Sequence, residues 1–105
     1  MKTIAGYVVL TCSLHQEKDQ WVSICPELGI SSFGSTIDEA KNSLHELVTL
    51  HISTLEDIGE RARVFKEHHI EIRTAKPKKS SVEVETSGKH YATPCIYPLR
   101  EPALA

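Results

Sequence analysis

A helix begins at Thr36. Thr36-Ile37-Asp38-Glu39 has the form of a capping box, in which the threonine hydroxyl accepts from the free N–H of Glu39 and the glutamate carboxylate reaches back to Thr36. Asp38 and Glu39 also suit the positive end of the helix dipole. Beyond the cap, Ile37, Ala40, Leu44, Leu47, Val48, Ile52 and Leu55 recur at helical spacing on one broad side, with Leu50 off that stripe. The spacing predicts an amphipathic helix of about five turns, near Ile37 to Leu55, that needs an apolar surface to lie on.

The residues before it supply that surface as a sheet. Ile4, Gly6, Val8, Leu10, Cys12 and Leu14 alternate with Thr3, Thr11 and Ser13, which predicts a strand with its even side inward. Tyr7 and Val9 on the odd side suggest partial cover there too. His15 to Gln20 is polar and reads as a hairpin loop. Trp21-Val22-Ser23-Ile24-Cys25 is the returning strand and ends near Pro26, which lacks a ladder donor. Glu27-Leu28-Gly29 bends the chain, and Ile30 to Gly34 is a third strand, completing a three-stranded antiparallel meander.

After the long helix, Ile58, Ala62 and Phe65 predict a second, shorter helix within Asp57 to His69, with Gly59 weakening its first turn. Ile70-Glu71-Ile72-Arg73 alternates and reads as a fourth strand. The fold class expected is α+β, in the order β-β-β-α-α-β over a domain of residues 1–75. Residues 76–105 are expected to be a linker, Lys76-Pro77-Lys78-Lys79-Ser80-Ser81, and a proline-containing C-terminal tail. Within that tail Val82 and Val84 alternate with Glu83 and Glu85 as a candidate extra strand. Tyr91 to Leu99 carries Pro94 and Pro98 and is too proline-rich for a central strand.

A chain of 105 residues predicts one domain with a thin core, so self-association as a dimer or tetramer is expected. Met1 to Leu14 lacks the continuous apolar block of a signal peptide, and no run reaches the roughly 20 apolar residues that span a bilayer. With three widely spaced cysteines, the expected setting is the cytoplasm, with reduced thiols and no membrane association. Residues 1–75 hold seven Lys/Arg against eleven Asp/Glu, and residues 76–105 hold five against three. An acidic body is a poor general binder of nucleic acid and a better match for a basic protein.

The run Trp21-Val22-Ser23-Ile24-Cys25-Pro26-Glu27-Leu28-Gly29-Ile30, followed by Phe33-Gly34-Ser35-Thr36-Ile37-Asp38-Glu39-Ala40, resembles the HicB-like antitoxin family. That family shows an aromatic strand, a Pro-Glu-Leu turn, and Gly-x-Thr-x-x-Glu-Ala opening the helix. Gly59 and Phe65-Lys66-Glu67-His68-His69-Ile70 also look like its connection from helix to last strand. The resemblance covers about residues 1–74 and implies a partial ribonuclease-H-like domain that binds and blocks a small mRNA-cleaving, HicA-like toxin. Ser35 departs from the acidic residue common at its position. Many such antitoxins carry a C-terminal DNA-binding unit, for which residues 76–105 are too few and too proline-rich, so operator binding is not expected.

Reactive chemistry finds little footing. Two-metal hydrolysis needs several converging carboxylates, yet Lys2 to Leu14 contains neither Asp nor Glu. Capping accounts for Asp38 and Glu39. His45 and His51 are six apart and His68 and His69 adjacent, so neither pair has the i, i+4 spacing of a helical zinc site. His51, inside the apolar stripe, reads as a half-buried histidine. Cys25 has no local base to activate it and reads as a small buried hydrophobe. Tyr7, Trp21 and Phe33 lack the neighbouring Lys and Arg of a base-stacking surface.

No catalytic, cofactor-binding or metal-ligating residue is therefore expected. The function expected is a non-catalytic protein-binding module that covers a small basic toxin, with Trp21, Glu27, Leu50, Val82 and Val84 as interaction residues. The alternative is an orphan homo-oligomeric scaffold or regulator of the same fold without a toxin.

Overall fold

The computed structural model describes residues 4–74, 84–87 and 90–100. The order is β1 (Ile4–Glu17), β2 (Gln20–Cys25), β3 (Ile30–Gly34), α1 (Ile37–Asp57), α2 (Arg61–Glu67), β4 (Val84–Ser87) and β5 (His90–Arg100). The protein is α+β: an antiparallel three-stranded meander, a long and a short helix, then a return to the same sheet, whose strand order is β3-β2-β1-β5-β4. Among the described residues no helix is long and apolar enough to cross a membrane.

The even side of β1 is the core. Val8, Leu10, Cys12 and Leu14 are buried beneath Ala40, Leu44, Val48, Ile52 and Leu55 of α1 and Phe65 of α2. Leu47, expected within the apolar stripe of α1, lies at its exposed margin. Thr36 caps the helix as expected, accepting from Glu39 N at 3.1 Å, but the Glu39 carboxylate accepts from Ser35 N at 2.8 Å rather than from Thr36. Buried Ser23 on β2 donates to the Ala40 carbonyl at 2.7 Å and ties the sheet to the first turn of α1.

Gly34 belongs to the same junction. A Cβ there would stand 2.6 Å from both Ala40 N and Glu39 Cβ, so the last residue of β3 must lack one for α1 to start so close. Gly34→Ala is expected to lower stability by about 1–3 kcal/mol through overpacking, read as a lower urea midpoint at unchanged m-value.

Gly59 ends α1 rather than weakening α2. With φ at 73° it lets Glu60 N donate to Leu55 O at 2.8 Å and its own N–H donate to Glu56 O at 3.2 Å. The second helix is correspondingly shorter than the expected span of Asp57 to His69. His69 does the same at the end of α2, with φ at 55° and Ile70 N donating to Phe65 O at 2.8 Å.

Two expectations need correction. Ile70–Arg73 is not a strand: it meets β1 at one residue only, where Tyr7 and Arg73 exchange N–H···O bonds of 2.7 Å. Gly6 permits the contact, because a Cβ there would lie 2.8 Å from the Arg73 carbonyl. The returning strand is instead β5, inside residues 76–105, which pairs with β1 from Ile4↔Arg100 to His15↔His90.

The two prolines do not prevent this, for a reason of phase. Pro98 and Pro94 lie opposite Tyr7 and Thr11. The Tyr7 amide is bonded to Arg73 and the Thr11 N–H to Glu27, both on the far side of β1. These are non-hydrogen-bonded pairs of the β1–β5 ladder, so each proline nitrogen faces away from β1 and no ladder bond is lost. Beyond the end of β4, the same prolines blunt the outer edge of β5.

Candidate functional site

One face of the sheet carries both helices. On the other face, Val9 of β1, Val22 and Ile24 of β2, Phe33 of β3 and Ile96 of β5 point out, and among the described residues neither helix lies over them. The register sets them in two groups: Val22 opposite Phe33 with Ile24 next along β2, and Val9 opposite Ile96, with Thr11 and Ser13 of β1 between the groups. Val9, Val22, Ile24 and Ile96 are half-buried, whereas Phe33 is 66% exposed. Phe33 and Val22 line a shallow cleft of about 450 Å³ whose remaining walls are Glu17, Gln20, Ser31 and Ser32. An apolar floor beside a carboxylate can receive an apolar side chain next to a basic one.

A second cleft, of about 290 Å³, opens on the unpaired stretch of β1 at Val9 and is walled by Glu27, His69, Ile70, Glu71 and Arg73. Glu27 is committed there. Its oxygens accept from Thr11 N at 3.0 Å each and from Thr11 Oγ1 at 2.8 Å, so the carboxylate stands in for ladder partners where β2 has ended.

The five residues expected at an interface do not converge. Trp21 is half-buried on the helix side of the sheet, 5.9 Å from the ring of Tyr91. Glu27 serves β1. Leu50 is 63% exposed on α1, on the helix side rather than the open face. Val84 lies in β4 at one end of the sheet, and Val82 falls outside the described residues. The open face is instead formed by side chains whose signal was the apolar character of both phases of the meander: odd Val9 on β1, and Val22 and Ile24 on β2.

Among the described residues no three His, Cys, Asp or Glu gather in a metal-ligating arrangement. His51 is half-buried on α1, His45 lies against Tyr97 with ring centroids 4.6 Å apart, and His68 and His69 are exposed after α2. Asp38 and Glu39 are at the helix start, and the Glu39 carboxylate is engaged with Ser35.

Comparison with known protein families, with curated proteins and with solved structures finds no match.

Proposed function

We propose that this chain is a non-catalytic protein-binding module of the cytoplasm, the antitoxin member of a toxin–antitoxin pair, which neutralises a small basic mRNA-cleaving protein by covering it. The observation that carries the reading is the apolar face of the sheet that the two helices leave uncovered, with Phe33 projecting from it beside Glu17. Apolar side chains left on an open sheet face are typical of protein contacts, and an exposed aromatic next to a cleft is the usual form of a binding anchor. The acidic balance of residues 1–75 adds attraction toward a basic partner. The resemblance of residues 1–74 to HicB-like antitoxins supplies the class of partner. Self-association through the same face is the competing use of it.

The test mixes the purified chain with the small basic protein encoded beside it and follows complex formation by calorimetry and RNA cleavage by gel. A stoichiometric complex that no longer cuts RNA is expected. Phe33→Ser should weaken binding at least tenfold, about 1.4 kcal/mol, with an unchanged melting temperature. Absence of such a neighbour, or of a complex with it, refutes the antitoxin reading; a dimer built on Phe33 by light scattering assigns the face to self-association.

A further inference from the structure

The phase of the main-chain hydrogen bonds leaves one edge of the sheet open and closes the other. Odd residues of β1 turn their amides away from β5: Tyr7 bonds to Arg73 and Thr11 to Glu27. By the same phase Ser13, His15 and Glu17 bond to Ile24, Val22 and Gln20 of β2. Trp21, Ser23 and Cys25 are then the residues that bond to Gly34, Ser32 and Ile30, which leaves the N–H and C=O groups of Ser31 and Phe33 pointing out of the sheet. Among the described residues no strand pairs with that edge. It is bounded at both ends, because Gly29 N donates to Cys25 O at 2.9 Å and Ser35 N to the Glu39 carboxylate at 2.8 Å.

The outer edge of β5 is guarded. Ala92 meets Val84 of β4, Pro94 and Pro98 have no N–H to offer, and Arg100 N donates to Glu56 at 2.6 Å. Sheet edges are ordinarily protected by proline, charge or cover, and an unprotected edge is a template for another strand. Ile30-Ser31-Ser32-Phe33-Gly34 carries neither proline nor charge. We propose that the basic partner joins the sheet as a strand on β3, exchanging main-chain hydrogen bonds with Ser31 and Phe33; the inference rests on the protein-binding reading above and adds to it how the partner is held.

The side chains around this edge fit such an occupant. A residue paired with Ser31 or Phe33 carries its side chain on the open face, beside the cleft of about 450 Å³ that Ser31, Val22 and Phe33 line with Glu17. Ser31 is small and exposed, so an apolar side chain opposite it has room to lie along the Phe33 ring. Exposed Glu17, Asp38 and Glu39 lie where β3 passes into α1 and attract lysine or arginine in the same segment. A second copy fits less well. Pairing β3 with itself antiparallel about Ser32 would turn the end with Asp38 and Glu39 toward the Glu27 end of the other chain, acid toward acid.

Amide hydrogen exchange of the full chain, alone and with the small basic protein encoded beside it, reads the edge directly. In the complex the Ser31 and Phe33 amides are expected to slow at least about tenfold, while Ser32 and Gly34, already bonded to β2, change less. Ser31→Pro removes an outward donor and no β2 bond, as Pro94 and Pro98 do for β5. It should therefore melt within a few degrees of the parent yet bind the partner at least about tenfold more weakly, whereas Ser31→Ala should bind like the parent. A complex that is weakened by Phe33→Ser but gives no protection at Ser31 and Phe33, or is indifferent to Ser31→Pro, would mean docking by side chains alone; the strand inference then falls and the reading beneath it stands. Protection of the two amides that rises with the concentration of the free chain would give the edge to a second copy and overturn the proposal. If no complex forms, both the inference and the reading fall.

Discussion

A chain ended at Thr74 is expected to show no cooperative thermal unfolding. Such a chain keeps the meander and both helices but loses β5, which pairs with β1 along nearly its whole length. Two buried side chains of the core, Tyr97 and Leu99, go with it. Burying each is worth about 1.5–3 kcal/mol, before counting the ladder bonds and the newly exposed flank of Val8, Leu10, Cys12 and Leu14. A small domain has about 5–15 kcal/mol of total stability, so the loss consumes most or all of it. Circular dichroism on heating should give a shallow, non-sigmoidal change. A sigmoidal melt within a few degrees of the full chain would instead establish residues 1–74 as a self-sufficient unit.

Glu56→Ala is expected to cost about 3 kcal/mol, a fall in melting temperature of roughly 12–24 °C. The Glu56 carboxylate is only 7% exposed and accepts from Arg61 Nη1 at 2.7 Å, Arg100 N at 2.6 Å and Arg100 Nε at 3.2 Å. Arg61 Nη1 also donates to the Arg100 carbonyl at 2.6 Å, and Arg100 Nη2 reaches Ser53 and Asp57. One carboxylate thus fastens the end of β5 to the end of α1 and the start of α2. Removing it leaves two guanidinium groups short of a partner in a poorly hydrated place, which costs more than the pair itself was worth. Arg63→Ala is the control. Arg63 pairs with Glu60 and Glu67 where all three side chains are at least 40% exposed, and its loss should change stability by no more than about 0.5 kcal/mol. Equal effects from the two substitutions, measured by thermal denaturation, would remove the special standing of Glu56.

The elements that were legible in the sequence are those whose signal is local. The cap at Thr36, the stripe of α1 and the alternation of β1 depend on neighbours within a few residues, and the structure has all three, with the Glu39 carboxylate turned to Ser35 and Leu47 at the edge of the stripe. The segment Tyr91 to Leu99 does not read as a strand because proline is judged against the average strand position. Only the pairing partner decides which amide of a strand is needed, and here Arg73 and Glu27 had already taken the amides opposite both prolines. Ile70–Arg73 shows the reverse failure: the alternation is present, but β1 offers it a single residue to pair with.

The same limit applies to the candidate site. Trp21 and Glu27 are conspicuous residues, yet one packs into the sheet's helix side and the other completes the β1 ladder. Val9, Val22, Ile24 and Ile96 are inconspicuous, and it is the strand pairing that puts them on the same face of the sheet as Phe33. Cys95 likewise comes near Cys12 only through the placement of β5 beside β1.

Growth rescue tests the account most directly. Cells arrested by the small basic protein encoded next to this chain should resume growth when the parent chain is co-expressed, and should remain arrested with a variant carrying both Phe33→Ser and Ile24→Ser that is present at the same level and melts at the same temperature. Full rescue by that variant would contradict the claim that the open sheet face is the surface through which the protein acts.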